Sequence, residues 1–388
     1  MTTDDFSLMR GGPVYRLLCW LGMLRSRRRL APLIACTLVG IAGLPLLVAS
    51  AWHGTLLPGS VDMPLAGDAA LQARLLLALP LLTLAAGPAD RLLRAAIRQF
   101  SRAGLVSHRH RGEFDAILKR LHVLRDSHIP ELTCLLAAFA PALLSPPVLT
   151  GIAHLDGWYA EQDGAPTAAA YWAWWVSIPV FRAVCLMWMW RFALWVVLLC
   201  RLACMGLDLR PPHPDGAGGL GFLGYAQQRF SALALAGGIV LSGSCINHVV
   251  HAGQTIHDLR HLLAAYVLGA SAILLAPLLV LSPSLLRAKR HALSKYGALG
   301  HRAIRSFDAY WKKGQTRDQA PALLDSPQPS ALADFGSVYT SLARMSVVPM
   351  NRWNVLWMLQ AAALPLLPLV FFAFSVDDLV RRLVSILV

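Results

Sequence analysis

Charge is scarce in this chain, and acidic charge scarcest: 14% of its 388 residues are charged, with 21 Asp and Glu against 35 Lys and Arg. With 56% hydrophobic residues and a positive mean hydropathy, the balance exceeds what one or two water-soluble cores need. Also missing are any CxxC pair or zinc spacing among the seven cysteines, which lie almost entirely in or beside apolar runs. Ordinary apolar packing is therefore their default role, and no metal site is expected. No small-residue cleavage site follows the first apolar run, so that run is read as an anchor. No internal repeat is visible, and neither is the half-and-half symmetry of many transporters.

What the chain does have is long apolar runs. A bilayer core needs about 20 apolar residues per helix. Such runs lie near Leu30 to Trp52, Ala73 to Ala86, Leu132 to Ile152, Trp172 or Pro179 to Leu202, Phe230 to Val250, Leu262 to Leu281 and Val355 to Phe374. The second is short and reads as a tilted partner helix or a re-entrant segment. The expected fold is all-α: a polytopic transmembrane helical bundle of about seven spans with two small cytoplasmic helical modules. The corresponding divisions are 1–90, 91–130, 131–283, 284–353 and 354–388.

Basic residues orient the set, because cytoplasmic loops retain positive charge. Six precede the first span, nine lie between Arg91 and Arg125, and eleven between Arg287 and Arg352. The stretches Gly54 to Leu71 and His154 to Ala170 have none and carry Asp62, Asp68, Asp156, Glu161 and Asp163 instead. The N-terminus is thus expected in the cytoplasm and, with seven spans, the C-terminal tail outside. The net charge of +14 sits beside spans, which is the topology signal and suits anionic lipid better than nucleic acid. The expected partners are the lipid bilayer and anionic lipid at the basic segments. A homo-oligomer is compatible with this composition.

Two cytoplasmic modules emerge from the pattern. Glu113 to Ile129 places Phe114, Ile117, Leu118, Leu121 and Leu124 at helical spacing, an amphipathic helix. Glu131 follows at the start of span three, where a carboxylate suits the helix dipole. The alternative is that Glu131, with Asp126, faces a cation such as Arg191 or Arg201. The second module runs from a basic helix at Leu285 to Trp311, through a polar stretch at Gly314 to Ser330, into a helix at Ser330 to Met345.

Chemistry should concentrate where span four meets HPDGAGGLGFLG, His213 to Gly224. Six of the twelve tryptophans lie between Trp172 and Trp195, and Trp188 and Trp195 share a face with Arg191. Arg182, Arg191 and Arg201 are nine and ten residues apart, so they do not form the repeating stripe of a voltage sensor. Either Arg191 lies at the cytoplasmic interface and snorkels, or it is buried against an acid or an aqueous path.

The glycine segment contains GxGxxG twice, at Gly216, Gly218, Gly221 and at Gly219, Gly221, Gly224. A dinucleotide fingerprint needs a preceding strand, whereas a membrane helix and Pro211-Pro212 come first; no cofactor is named by the sequence. A sharp turn leading into a closely packed small-residue helix is the plainer reading. The sharper one makes the glycine amides an anion nest with His213 and Asp215 as acid, base or ligands. At the other end of span five, Asn247 and His248 belong to a polar cluster open to a proton or metal role, or to simple satisfaction by water and backbone.

Several motifs together resemble a family of bacterial polytopic inner-membrane proteins to which no activity is attached. They are LRDSHIPE at Leu124 to Glu131, the Trp188 to Trp195 run, HPDGAGGLGFLG, Lys295 to Trp311, SALADF at Ser330 to Phe335 and ARMSVVPM at Ala343 to Met350. The resemblance implies a multi-pass inner-membrane fold and carries over no catalytic role. The functional expectation is a channel or transporter-like protein for a small solute or ion. The alternatives are a membrane enzyme sited at His213 and Asp215, and a non-catalytic assembly or signalling component.

Overall fold

A computed structural model describes residues 6–9, 11, 30–59, 61–144, 157–161, 165–313 and 328–370. Outside these lie most of the basic segment before span one, the end of span three, much of the acidic loop after it, most of the polar stretch at Gly314 to Ser330, the end of the last span and the tail with Arg381 and Arg382.

Among the described residues the protein is all-α, with isolated bridges at Met63 and Gly157 and at Ala160 and Pro166 as its only extended pairings. Ten helices follow one another: α1 (Leu30–Trp52), α2 (Ala69–Arg102), α3 (Arg111–Asp126), α4 (His128–Leu144) and α5 (Ala168–Cys204). Then come α6 (Phe222–Ala252), α7 (Ile256–Leu279), α8 (Ser282–Lys313), α9 (Gln328–Ala343) and α10 (Arg352–Ala363). Five of them, α1, α2, α5, α6 and α7, are long and apolar enough to cross a membrane. Their outer faces fit that solvent: Leu44 and Val48 on α1, Leu76 and Leu77 on α2, and Leu268 and Ile273 on α7 are exposed, far more apolar surface than water tolerates.

Two runs differ from expectation in length. The short second run is the middle of a 34-residue helical stretch. Asp68 starts it early, its side chain accepting from the Leu71 amide at 2.9 Å, and the helix passes through Pro88 to Arg102. In the last run the α-helix ends at Ala363 and gives way to 3-10 turns, Leu364–Leu369, where Pro365 and Pro368 lack the backbone donors of an α-helix.

The helices join at two ends. At one, the Asp208 amide donates to Leu105 O at 2.8 Å, which ties the chain beyond α5 to the chain beyond α2. That end also holds α3, the start of α4 and of α8, and, among the described residues, most of the basic side chains. At the opposite end Asn247, near the end of α6, meets Asp68 before α2. Between them the core runs through Leu93, Phe100, Phe114, Trp195, Leu198 and Phe230. The amphipathic reading of α3 holds for Phe114, Ile117, Leu118 and Leu121, which are buried, whereas Leu124 is exposed and Arg125 takes the buried position.

Glycine sets the spacing of α6. A Cβ on Gly243 would stand 2.5 Å from Ala69 O and 2.7 Å from the Ala73 Cβ, so α6 and the start of α2 touch through backbone. Gly238 meets Ala362 O and Pro365 in the same way. Gly243→Ala should therefore lower stability by about 1–3 kcal/mol through overpacking. Gly269→Ala, in open space on α7, should be neutral or slightly stabilising. Thermal melts of both variants in one detergent check this, and equal melting points would contradict the close approach.

Candidate functional site

Three polar networks lie in this bundle, two at its basic end and one at the opposite end. The first centres on Arg191 in the C-terminal half of α5. Its Nη2 donates to Glu131 Oε1 at 3.2 Å and to Gly11 O at 2.9 Å, with side-chain exposures of 7% for Arg191 and 2% for Glu131. Of the two readings of Arg191, the structure thus has the buried one. Glu131 stands in the first turn of α4, favourable for its charge, and faces Arg191, while Arg201 is exposed. The Arg191 Nη1 atom is buried and has no hydrogen-bond partner among the described residues.

Asp126 belongs to the same neighbourhood. Arg125 Nε donates to Asp126 Oδ1 at 2.7 Å, and His122 Nε2 lies 3.6 Å from Asp126 Oδ2. Arg125 Nη1 donates to Ser7 O, its guanidinium lies over the Phe6 ring at 5.9 Å, and the Ser7 hydroxyl donates to Asp90, which Arg94 holds from the next turn of α2. A short N-terminal stretch is thereby drawn in among the helices, with Phe6 and Leu8 fully buried.

The indoles beside Arg191 do other work than expected. Trp188 Nε1 donates to Leu82 O at 3.1 Å and Trp195 Nε1 to Gln227 Oε1 at 2.6 Å, and both rings pack on Phe230 rather than on the guanidinium. Their polar edges bind span two and span five, as buried tryptophans require.

The second network is the glycine loop. Asp215 Oδ1 accepts from the amides of Ala217 at 2.9 Å and Gly219 at 3.1 Å, and Oδ2 from Gly221 at 2.8 Å. This arrangement requires left-handed backbone at Gly216, Gly218 and Gly219, with φ of 64°, 63° and 95°, where a Cβ would be strained. The amides that an anion nest would offer are taken by the chain's own carboxylate, which displaces the nest reading. His213 Nδ1 lies 2.9 Å from Asp215 Oδ1. Burial pushes the Asp215 carboxyl up, but the three amides and His213 outweigh it and hold it below the usual carboxylate range. The plainer expectation, a sharp turn followed by close helix packing, matches Gly224, which abuts Asn354 and Met350.

Beside this loop opens a cavity of about 900 Å³ between Ala203–His213 and one face of α8. His213 lines it; Arg191 and Asp215 do not.

At the opposite end Asn247 Nδ2 donates to Asp68 Oδ1 at 2.9 Å, its Oδ1 accepts from the Ala69 amide at 2.9 Å, and Trp158 Nε1 donates to Asp68 Oδ2 at 3.2 Å. Asn247 is a tie between α6 and α2. His248 presents a buried Nδ1 that has no hydrogen-bond partner among the described residues. His213 and Asp215 do not converge with Asp126 and Glu131, since each pair belongs to its own network.

Sequence reasoning passed over Asp68, Asp90 and Gln227 as interior groups. Asp68 had a signal, an Asp immediately before a helical apolar run; Gln227 had none. Comparison with protein-family models, curated proteins and solved structures yields no match.

Two outcomes follow from this geometry. Glu131→Gln leaves a buried guanidinium without its counter-charge and should cost about 3–5 kcal/mol, whereas Glu131→Leu with Arg191→Met should recover most of that loss. Denaturation of the three proteins checks it, and additive losses in the double variant would contradict the pairing. For Asp215 the lowered carboxyl means that its stabilisation is complete above the unfolded value near pH 4 and lost as pH falls through the lowered folded value. Asp215→Ala should cost about 2 kcal/mol at pH 7 and flatten the acid limb of stability below about pH 4, which melts across the acid range would reveal.

Proposed function

We propose that this chain is a membrane transport protein, a channel or carrier for a small solute or ion, with the Arg191–Glu131 pair at its working centre. The observation that carries this reading is an ion pair buried among apolar helices, with Arg191 Nη1 lacking a hydrogen-bond partner among the described residues. Such a pair costs desolvation that packing alone does not require, and ionisable groups within membrane helices mark ion and substrate paths by default. The N-terminal stretch, through Gly11 O, sits on the same guanidinium. A solute reaching the guanidinium would compete with this backbone contact.

The enzyme reading loses ground, because both Asp215 oxygens accept loop amides and are poorly placed as a base. One observation favours a partner-binding role. The α8 and α9 pair, stacked through Tyr296 and Phe335 at 6.4 Å, leaves Leu299, Ile304 and Val338 exposed.

Purified protein in liposomes, assayed for flux of inorganic ions and small organic anions, tests the transport reading. Arg191→Lys keeps the charge but not the planar donor geometry, and should reduce flux about tenfold or more, a change of about 1.4 kcal/mol in the barrier. Wild-type vesicles that remain tight under every gradient would overturn transport and leave the partner-binding role.

A further inference from the structure

We propose that the cavity beside the glycine loop is a phosphate site, one that receives the phosphate of an anionic amphiphile where two spans meet the basic end. One wall is the chain from Ala203 to His213, which leaves α5 at its last turn. The other is a stripe of α8 at Ser284, Arg287, His291 and Lys295, spaced three to four residues apart so that all face one side. The cavity, about 900 Å³, has the size of a ligand pocket rather than a water site.

The charge around it is one-sided. Arg210, Arg287 and Lys295 line it together with His213 and His291, against Asp208 as the acidic lining residue. Asp208 is already 3.9 Å from Arg210. Arg287 donates to Pro283 O at 3.3 Å and lies 3.5 Å from Ser284 Oγ, and among the described residues no carboxylate pairs with it. Two cations on one helix face therefore await an anion, and a guanidinium next to an ammonium suits phosphate oxygens.

Position and lining specify the ligand further. Ala203 belongs to the last turn of α5, and Ser284 to the first turn of α8, five residues past the end of the α7 span at Leu279. The cavity thus opens at the level where two apolar helices end. Leu207, Leu209, Ala288 and Ala292 line it beside the cations, so an apolar body can follow the phosphate inward.

The glycine motif acquires a purpose here. The Arg210 amide donates to Gly218 O at 3.1 Å and the Ser346 amide to Gly216 O at 2.8 Å, while Lys289 Nζ reaches Met345 O at 2.7 Å. The loop that Asp215 closes therefore fixes the Arg210 wall against α8 from behind, without offering its own amides to the ligand.

The site stands apart from the Arg191–Glu131 pair, and the readout is binding rather than flux, so failure of one reading leaves the other intact. The full chain in phosphatidylcholine nanodiscs is titrated calorimetrically with short-chain phosphatidic acid and, separately, with inorganic phosphate. Arg287→Gln with Lys295→Gln removes the two cavity cations. Arg302→Gln with Arg305→Gln removes the same charge from exposed positions further along α8. Losing two charge-assisted contacts should weaken binding about tenfold or more in the cavity variant, with the control within about twofold of wild type. Arg287 and Lys295 are exposed, so folding is not at stake, and Lys295→Glu as a second variant should weaken binding further. Binding of phosphatidic acid but not of phosphate assigns the site to a lipid headgroup; equal binding of both assigns it to free phosphate. The proposal is overturned if neither probe binds wild type, or if the control loses as much affinity as the cavity variant.

Discussion

The ion pair between Arg191 and Glu131 is the constraint on which the basic end of the bundle depends. It joins the C-terminal half of α5 to the first turn of α4 through two residues sixty apart in sequence. A guanidinium at 7% exposure cannot be left alone in an apolar interior. Its neighbours are therefore arranged around it: α3 ends at Asp126, the chain becomes extended at Ser127, and α4 begins at once, which carries Glu131 to the pair. Arg125, one residue before Asp126, turns inward and repeats the arrangement against Ser7 and Phe6. These two arginines supply donors for carbonyls of the N-terminal stretch, which the Ser7–Asp90 hydrogen bond and the burial of Phe6 and Leu8 also hold.

How far the sequence discloses this can be judged residue by residue. The cost of an arginine in an apolar span singles out Arg191, and the helical offset of Arg182 and Arg201 separates it from a repeating sensor. Glu131 is visible as the first-turn acid of span three, yet its partner is a matter of tertiary geometry that no local pattern encodes. The indoles illustrate the same limit: spacing brings Trp188 and Trp195 to the face of Arg191, but Leu82 O and Gln227 Oε1 lie closer to their N–H groups and take them. Asn247 and Asp68, 179 residues apart, meet only once α2 and α6 pack. The length of α2 escapes a hydropathy reading because Arg74, Pro80, Pro88 and Asp90 interrupt the apolar run, although an N-cap and internal hydrogen bonds carry the helix through them.

Glycine patterns carry more information than charge patterns do in this fold, and they serve two distinct purposes. In α6 the small residues remove side-chain bulk, so that Gly238 and Gly243 let backbone meet backbone where lipid supplies no hydrophobic drive for association. In the loop before α6 the glycines supply left-handed backbone instead. The motif GxGxxG is indifferent to this distinction, which is why it is weak evidence for a nucleotide.

The fate of the Asp215 carboxylate determines what the loop can do. A carboxylate that accepts three amides is held ionised and immobile, and it cannot exchange protons near neutral pH while those contacts last. An anion would have to expel it to use the same amides, losing three charge-assisted hydrogen bonds to gain an equivalent set. The loop is consequently more useful as a rigid wall than as a binding surface: its carbonyls hold Arg210 and Ser346 while its amides hold Asp215. Positive charge for any ligand must then come from side chains on the far wall, and α8 presents it at Arg287 and Lys295, a short step from where the apolar spans end.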